Sequence, residues 1–472
     1  MTGREILMDL WIKWLAVTAL LAVAGAQPQK QAQAPLLLHK PFIVVWNAPT
    51  EQCRLRYKVD LDLSIFDIAS NTNETLSGSN VTIFYHTHLG YYPYYSDNGD
   101  PHLNKAKSDI DYCIPLKKFQ GLAVIDWENW RPQWDRNWGS KSIYRNKSLE
   151  MVRRQHPQWS EDKIRKVAKE EFENAGKSFM NNTILLAEHM RPNGLWGYYL
   201  YPDCYNYDYK EHPQTYTGKC PAIESSRNDL LLWLWKESTA LYPSIYLDYV
   251  LKSSPNALKF VHYRVKEAIR IASIARKDYV LPVFVYSRPF YAYTFHVLTE
   301  TDLVNTIGES AALGAAGVVL WGSMQYASSK VSCSTVKRYI DGPLGHYVIN
   351  VTSAAKLCSK VLCKKNGRCI RKNSASSAYL HLPPTNFKIR VRHSGKGPRL
   401  QVTGKPSLEN IETMRQRFMC QCYQGWTGIF CELPDQKLKD HWAHIVLSRS
   451  RKQKLHVFLL GAMQLLLLYS AY

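Results

Sequence analysis

The chain has 472 residues, and 46% of them are apolar. This composition is sufficient for a sizeable core and excludes proteins that are too polar to form one. This length is long for one domain but suits an α/β barrel with one small added module. Sixty Lys and Arg against 39 Asp and Glu give a net charge of +21, which favours a polyanionic partner: nucleic acid, an anionic membrane or an acidic polysaccharide.

The N-terminus predicts a secreted protein. Residues 14–26 form an apolar run that follows Lys13 and ends in small residues, so we predict a signal peptide over residues 1–26. Secretion argues against nucleic acid and favours extracellular acidic glycans. Five N-x-[ST] triplets are candidate glycosylation sites: Asn73, Asn80, Asn146, Asn181 and Asn350. Most of the eleven cysteines should be paired, and the odd number leaves one over.

Apolar runs alternate with helical patterns over most of the chain. The runs predict seven strands, at residues 41–46, 81–85, 121–125, 195–200, 243–247, 281–286 and 317–321. Apolar spacing predicts helices over 160–180, 264–275 and 302–316, with Ser160 as an N-cap. Repeated strand–helix–strand units indicate a parallel sheet, and seven of them favour a TIM-type β/α barrel over residues 40–350.

The third run ends in two acids. In residues 121–130 (GLAVIDWENW), Asp126 and Glu128 are separated by one tryptophan. If the strand continues, both side chains point to the same side, roughly 6–7 Å apart along the backbone. Two acids held together repel when ionised, so one should keep its proton to a higher pH. A proton donor beside a carboxylate suits glycosidic bond cleavage, although the alternative is a strand end with two solvated acids.

A second, cysteine-rich unit occupies residues 358–431. Its ending, C-x-C-x2-G-aromatic-x-G-x2-C over residues 420–431, resembles an epidermal-growth-factor-like (EGF-like) module. About fifty residues separate Cys369 from Cys420, and we expect this basic insert to loop out. The module is either a disulfide-bonded appendage or a binding unit.

The C-terminus predicts a membrane attachment. An apolar tail at residues 457–472 follows a polar basic stretch, which together fit a glycolipid (GPI) anchor signal over 448–472 with Ser448 or Ser450 as candidate attachment points. The alternatives are a membrane-anchoring tail helix, for which sixteen residues are short, and an interfacial tail.

Four segments resemble the animal hyaluronidases, the bee-venom and vertebrate family. They are residues 121–134 (GLAVIDWENWRPQW), 196–208 (WGYYLYPDCYNYD), 240–246 (ALYPSIY) and 308–322 (GESAALGAAGVVLWG). The likeness covers about residues 41–431 and is greatest to the membrane-anchored sperm-type and hyaluronidase-four-like members. It implies a distorted TIM-type barrel followed by the EGF-like module.

The resemblance also implies an activity. Family members cleave β-1,4 bonds after N-acetylglucosamine in hyaluronan, some also cut chondroitin, and the acetamido oxygen of the substrate acts as the nucleophile. Glu128 would be the proton donor and later the base, Asp126 would orient and stabilise the acetamido group, and Tyr246 would hydrogen-bond it. Tyr199 and Arg264 would line the site, and Trp321 would wall it. No cofactor or metal is expected, and the sequence shows no metal-ligand cluster.

The family further implies five disulfides and leaves Cys113 as a buried apolar residue or a free thiol. The pairs are Cys53–Cys333, Cys204–Cys220, Cys358–Cys369, Cys363–Cys420 and Cys422–Cys431. One departure concerns the loop after the second predicted strand, where about a dozen family residues are missing near residues 98–105. Three functions therefore remain open: a hyaluronan hydrolase, a chondroitin-preferring hydrolase, and a catalytically weak glycan-binding or adhesion protein.

Overall fold

The structure is a computed structural model that describes residues 30–92, 101–394 and 397–435. The predicted signal peptide, residues 93–100 of the shortened loop and the predicted anchor signal lie outside the described residues.

A parallel barrel of short strands forms the larger part of the molecule, as predicted. Strand order is β2-β1-β7-β6 in one sheet and β3-β4-β5 in the other. The strands are β1 Ile43–Asn47, β2 Ile68–Ser70, β3 Val81–Tyr85, β4 Leu122–Asp126, β5 Leu195–Tyr198, β6 Phe284–Ser287 and β7 Gly317–Trp321. Six of the seven predicted strands are confirmed, and β2 was not predicted because it has only three residues, too few to show a period.

The predicted strand at 243–247 is wrong as a regular strand, although its segment fills the expected place in the barrel. Isolated parallel bridges join Tyr242 to Tyr199 and Ser244 to Tyr286, so the segment links β5 to β6. Pro243 lacks an N–H group, which removes one hydrogen bond from any regular ladder. Its carbonyl still accepts from the Tyr286 N–H at 2.8 Å, which continues the barrel without a regular strand.

A buried side chain connects β2 to β3, which are not paired by backbone. Asn71 follows β2 and is 2% exposed. Its Nδ2 donates to the Val81 carbonyl at 2.7 Å, and its Oδ1 accepts from the Val81 N–H at 3.1 Å. One amide side chain thus makes the two hydrogen bonds that a strand neighbour would make.

Helices surround the strands. They are α1 Glu51–Leu55, α2 Pro101–Cys113, α3 Ser142–Gln155, α4 Glu161–Met190, α5 Ala222–Leu230, α6 Leu232–Glu237, α7 Pro255–Ala275, α8 Glu300–Leu303, α9 Glu309–Leu313, α10 Lys330–Tyr339, α11 Gly345–Val361 and α12 Leu408–Arg417. In the described ranges, no helix has both the length and the apolar character to cross a membrane.

The three predicted helices exist with different limits. Ser160 caps α4 by accepting from the Lys163 N–H, but α4 continues ten residues past the predicted end because Ile184 and Ala187 remain on its buried face. The prediction over 302–316 is wrong as a single helix: a π-helical segment, Val304–Gly308, separates α8 from α9, and Gly314 ends α9 at φ +99°.

Side chains alternate between two apolar clusters. On β4, Leu122 and Val124 lie in the barrel interior, whereas Ala123 and Ile125 pack outward against the helices. The same alternation holds on β1, β3, β6 and β7. The alternation therefore determines which side chain of each strand faces the interior at the carboxyl end of the barrel.

The predicted boundary at residue 350 falls inside α11, which runs on from the barrel to Cys358. The insert of the EGF-like module does not simply loop out, which corrects that expectation. It forms a hairpin, β9 Phe387–Ser394 and β10 Gly397–Gly404, followed by α12. Phe387, Ile389, Leu400 and Val402 pack against the main core, so burial of apolar surface holds the insert in place.

The disulfides join the five pairs that the resemblance implies. Cys53–Cys333 connects α1 to α10 across 280 residues, so it ties the start of the barrel to its end. The remaining strands, β8 Gly367–Arg371, β11 Phe418–Cys422, β12 Trp426–Thr427 and β13 Leu433–Pro434, belong to the module. Cys113 is a free, half-buried thiol, and burial raises its pKa, which keeps it a weak nucleophile.

Candidate active site

The carboxyl ends of the strands carry a ring of polar and aromatic side chains. Each of them lies two positions after an interior residue of its strand, and therefore on the same face. Tyr85 comes after Ile83, Asp126 after Val124, and Trp321 after Val319. Arg288 stands in the same relation to Tyr286 one residue after β6. Barrel enzymes keep their chemistry at this end, so the register of the apolar core also positions the site.

Two acids lie at the end of β4. The strand ends at Asp126, so Glu128 lies beyond the regular pleat. Glu128 is about half exposed, with 52% of its side chain accessible, whereas Asp126 Oδ1 is buried and has no hydrogen-bond partner among the described residues. The acids thus have different surroundings, which is how two carboxyls acquire different roles.

Burial, together with the neighbouring charge of Glu128, raises the pKa of Asp126 to about 8. The positive charge of Arg131 opposes this shift, and its guanidinium also lies 3.9 Å from Glu128 Oε2. At neutral pH Asp126 therefore keeps its proton.

Packing under the acid motif fixes its path. Trp127, between the two acids, points outward into the core and is 3% exposed. It stacks on Tyr92 with ring centroids 4.9 Å apart, and Tyr92 also stacks on Trp130 at 5.7 Å. The Tyr92 hydroxyl accepts from the Trp130 N–H at 3.2 Å. These contacts hold the segment that carries Glu128.

Aromatic rings face the acids across the barrel mouth. Tyr246 and Trp321 are stacked, with centroids 6.0 Å apart and an interplanar angle of 20°. Trp321 Nε1 donates to the Tyr85 hydroxyl at 3.0 Å, and burial raises the pKa of Tyr85 to about 12. The guanidinium of Arg288 lies 5.7 Å from the Tyr246 ring and 5.2 Å from the Trp321 ring. Such a wall can pack against the apolar face of a sugar.

Tyr199 supports this wall from inside the barrel. It is 8% exposed, its ring lies 6.1 Å from that of Tyr246, and its hydroxyl donates to Ser244 Oγ at 3.2 Å. Burial raises the pKa of Tyr199, so its hydroxyl stays protonated at physiological pH. Five predicted site residues, Asp126, Glu128, Tyr199, Tyr246 and Trp321, therefore come together at one end of the barrel.

Arg264 does not line the site, which corrects that prediction. It lies on α7 and is only 3% exposed. Its Nε donates to Asn206 Oδ1 at 2.8 Å and its Nη1 donates to the Ser244 carbonyl at 2.9 Å, with Asp203 at 3.5 Å. Arg264 thus lies behind Ser244 and positions the backbone that carries Tyr246.

We expect Arg264→Met to lower stability and leave substrate affinity nearly unchanged. Removing one member of a buried charge network typically costs about 3 kcal/mol of unfolding free energy. Lys266→Met, at an exposed position of the same helix, should change it by less than about 0.5 kcal/mol. Thermal unfolding and KM for the polymer check this. A normal unfolding temperature with a tenfold higher KM would show that Arg264 contacts substrate.

Sequence reasoning missed Arg288, Tyr85 and Ser244. Tyr85 and Arg288 each follow the interior residue of a predicted strand by two positions, so strand alternation carried enough signal to find both. The buried pair Tyr286–Asn47 was also missed; its hydroxyl-to-Oδ1 bond of 3.2 Å links β6 to β1 below the site. No local signal marks that pairing, because 239 residues separate the partners.

The predicted glycosylation sites differ in exposure. Asn73 and Asn146 are exposed, and Asn181 is partly buried. Asn80 uses its Nδ2 to donate to the Ser70 carbonyl at 2.6 Å, and Asn350 Oδ1 accepts from the Leu382 N–H at 2.8 Å. All five remain predictions.

One trio among the described residues has metal-ligand spacing: Asp208, Glu211 and His212. All three are exposed, and His212 Nδ1 lies 2.9 Å from Asp208 Oδ1 as an i,i+4 pair, which raises the pKa of His212. An exposed ion pair explains the cluster without a metal.

A parallel barrel with a proton-holding acid pair and an aromatic wall defines the class of barrel glycoside hydrolases. Comparison with known proteins gives the family. Residues 31–435 match glycoside hydrolase family 56, described as hyaluronidase. Hyaluronidase-1 of Cerastes cerastes is 61% identical over 444 residues, which cover 91% of this chain and 98% of that protein. The hyaluronidase of Crotalus adamanteus is 61% identical over 436 residues, 90% of this chain and 97% of that protein.

Among solved structures, bee venom hyaluronidase in complex with a hyaluronic acid tetramer is similar, with a TM-score of 0.59 and 33% identity. The match covers 65% of this chain and 98% of that one. The chain belongs to the hyaluronidase family and is a glycoside hydrolase.

Proposed function

We propose that this enzyme hydrolyses the β-1,4 bonds of hyaluronan with retention of configuration, using the acetamido group of the substrate as the nucleophile. The observation that carries the proposal is the unequal acid pair, one buried carboxyl with a raised pKa beside one that is half exposed to the cleft. The bee venom relative was solved with a hyaluronic acid tetramer, which supports hyaluronan as the polymer.

The proton count suits this mechanism. Before reaction Asp126 holds a proton, because burial raises its pKa. This proton passes to Glu128, the acid that reaches the cleft, and Glu128 delivers it to the leaving glycosidic oxygen while the acetamido oxygen attacks the anomeric carbon. Both carboxylates are then ionised beside a cyclic intermediate that carries positive charge. Water opens this intermediate, Glu128 takes the proton of the water, and the pair regains its starting charge.

The aromatic wall orients the sugar. The Tyr246 hydroxyl is the group proposed to bond the acetamido group, and Trp321 gives its ring an apolar neighbour at 6.0 Å. Tyr199 and Ser244 hold the base of Tyr246, since Ser244 is two residues from it and accepts from Tyr199. Asp126 would stabilise the acetamido nitrogen as positive charge develops there.

The shortened loop does not leave its flanks loose in the described residues. The Tyr91 N–H donates to His102 Nδ1 at 3.0 Å, and His102 Nε2 lies 2.8 Å from Thr183 Oγ1 on α4. Because Tyr92 also stacks on the acid motif, the segment that enters the loop is fixed beside Glu128. This packing favours turnover over a binding-only role.

A reducing-end assay on hyaluronan and on chondroitin tests the proposal. We expect new reducing ends from hyaluronan, with the β-anomer appearing first by proton NMR. Faster cleavage of chondroitin would show that chondroitin, not hyaluronan, is the preferred substrate. An α-anomer appearing first would show inversion and contradict the proposed mechanism. Binding to either polymer without cleavage would instead identify a glycan-binding protein.

We also propose that the chain reaches the cell surface and is held there by a C-terminal glycolipid. The tail at 457–472 supports this by composition. Treating expressing cells with a phospholipase that cuts such anchors should release most of the enzyme. A variant that ends at residue 447 should appear in the medium untreated. Enzyme that resists the phospholipase and keeps its tail peptide would indicate a tail helix.

A further inference from the structure

A basic cavity lies between the barrel and the EGF-like module. Its volume is about 240 Å³, and the residues that define it are His39, Lys356, Lys360, Lys365 and Tyr423. They come from three separate parts of the chain: the segment before β1, the end of α11 with the turn after it, and the loop after β11. The three lysines are close in sequence, and tertiary folding brings His39 and Tyr423 beside them.

The cations of this basic cavity are not neutralised by the protein. No carboxylate lines it, and no ion pair or side-chain hydrogen bond joins Lys356, Lys360 or Lys365 to any described residue. By contrast, Lys40 in the neighbouring cavity is paired with Asp67. Three lysines without a counter-charge create a local positive potential that attracts anions.

The geometry of α11 accounts for part of this cluster, because Lys356 and Lys360 are four residues apart and share one face of the helix. A cation in the last turn of a helix is favourable, and Lys360 meets that need. Lys365 lies beyond the helix in a left-handed conformation, φ 68°, where glycine is favoured, and His39 has φ 61°. The helix therefore does not explain why Lys365 and His39 also line the cavity.

A second cavity extends the surface. It has a volume of about 470 Å³, shares Lys356 with the basic cavity, and continues between Phe42 and the hairpin residues Leu400 and Val402. A cationic cavity beside a longer, partly apolar one suits a chain of acidic sugars better than a single small ion. Each sugar offers a charged group and an apolar ring face.

The basic cavity is remote from the catalytic end. His39 and Pro41 precede β1, whereas Asn47, at the other end of β1, lies below the active site. A ligand here would not compete with substrate in the cleft.

We propose that the basic cavity and its extension form a second binding site for acidic polysaccharide, separate from the cleft. It would hold one segment of a carboxylated or sulfated glycan against the module. The module would then help to retain the polymer on the enzyme, outside the active-site cleft.

The test measures binding of the full secreted chain to immobilised dextran sulfate, a sulfated polymer without the bond cleaved by this family. The variant K356Q/K360Q/K365Q removes three exposed charges without touching the core. We expect about a tenfold loss of affinity, the size that three exposed ion contacts typically give. Cleavage of hyaluronan at saturating concentration should stay within about twofold of the parent, the limit we set for an unchanged site.

The matched control is K166Q/K177Q/K277Q, which removes three exposed lysines that make no ion pair with the described residues elsewhere on the barrel. It should bind within about twofold of the parent, since only nonspecific charge is lost. Equal losses in both variants, or no loss in either, would overturn the proposal. Anionic phosphatidylserine vesicles form a second arm: loss of vesicle binding with unchanged polymer binding would assign the cavity to lipid headgroups instead. These results do not depend on the proposed mechanism, because dextran sulfate is not a substrate.

Discussion

Glu128→Gln is expected to abolish cleavage while the enzyme still folds and binds polymer. Glutamine keeps the shape and much of the hydrogen bonding but cannot give up a proton. General acid–base help is typically worth about 10²–10⁴-fold, and one group serving both steps should reach the upper end or beyond. Stability should persist because 52% of the Glu128 side chain is exposed and the ion pair that it loses, with Arg131, is long at 3.9 Å.

The assay compares reducing ends, secreted yield and polymer binding for the parent and the variant. Glu170→Gln, at an exposed position on α4, is the control and should cleave like the parent. If Glu128→Gln still cleaves at a rate within about tenfold of the parent, the loss is too small for a missing general acid. Glu128 would then not be the proton donor.

Asp126→Asn is expected to reduce turnover by about 10²-fold or more, because the acetamido group loses the carboxylate that stabilises its developing charge. The same change should make the enzyme more stable at neutral pH. Burial and the charge of Glu128 hold the pKa of Asp126 near 8, above its ordinary value of 3.8. The folded protein must therefore either keep a proton or bury a charge, and asparagine requires neither.

The direction of the pH effect follows from linkage. A carboxyl whose pKa is raised by folding contributes its full stability below about pH 4, and that contribution is lost as pH rises to about 8. The unfolding temperature of Asp126→Asn should therefore exceed that of the parent by a margin that grows between pH 5 and pH 8. Other ionisable groups titrate in both proteins, so the difference isolates this position. A margin that does not change with pH would contradict the raised pKa.

We expect the stability gain and the activity loss in the same variant, because burying the Asp126 carboxyl lowers the stability of the folded protein. The carboxyl of Asp126 is held where solvent cannot reach its Oδ1. Function at the expense of stability is common at active sites.

Much of the barrel could be predicted because its strands are short and apolar on both faces. Residues 121–126 show this: the apolar run gives β4, and its final acid falls at the carboxyl end where barrels place their chemistry. The same logic placed Trp321 at the end of β7. The pairing of cysteines and the roles of the acids came from family likeness, since spacing alone does not choose among connectivities.

Other features depend on contacts between distant residues. Asn71 substitutes for a strand neighbour, and Pro243 carries the barrel through an irregular segment; neither function is visible in local periodicity. Family likeness placed Arg264 in the site, yet α7 places it behind Ser244. The insert after Cys369 forms a hairpin because its apolar residues meet a core surface built by the barrel.

The sequence by itself determined the parallel barrel, the acid pair and the aromatic residues at its mouth, because alternation along each strand is a local property of the chain. The tertiary structure decided which acid keeps its proton. That choice depends on desolvation and on neighbouring charges, which exist only after β4 packs inside the barrel and leaves Asp126 buried and Glu128 in the cleft.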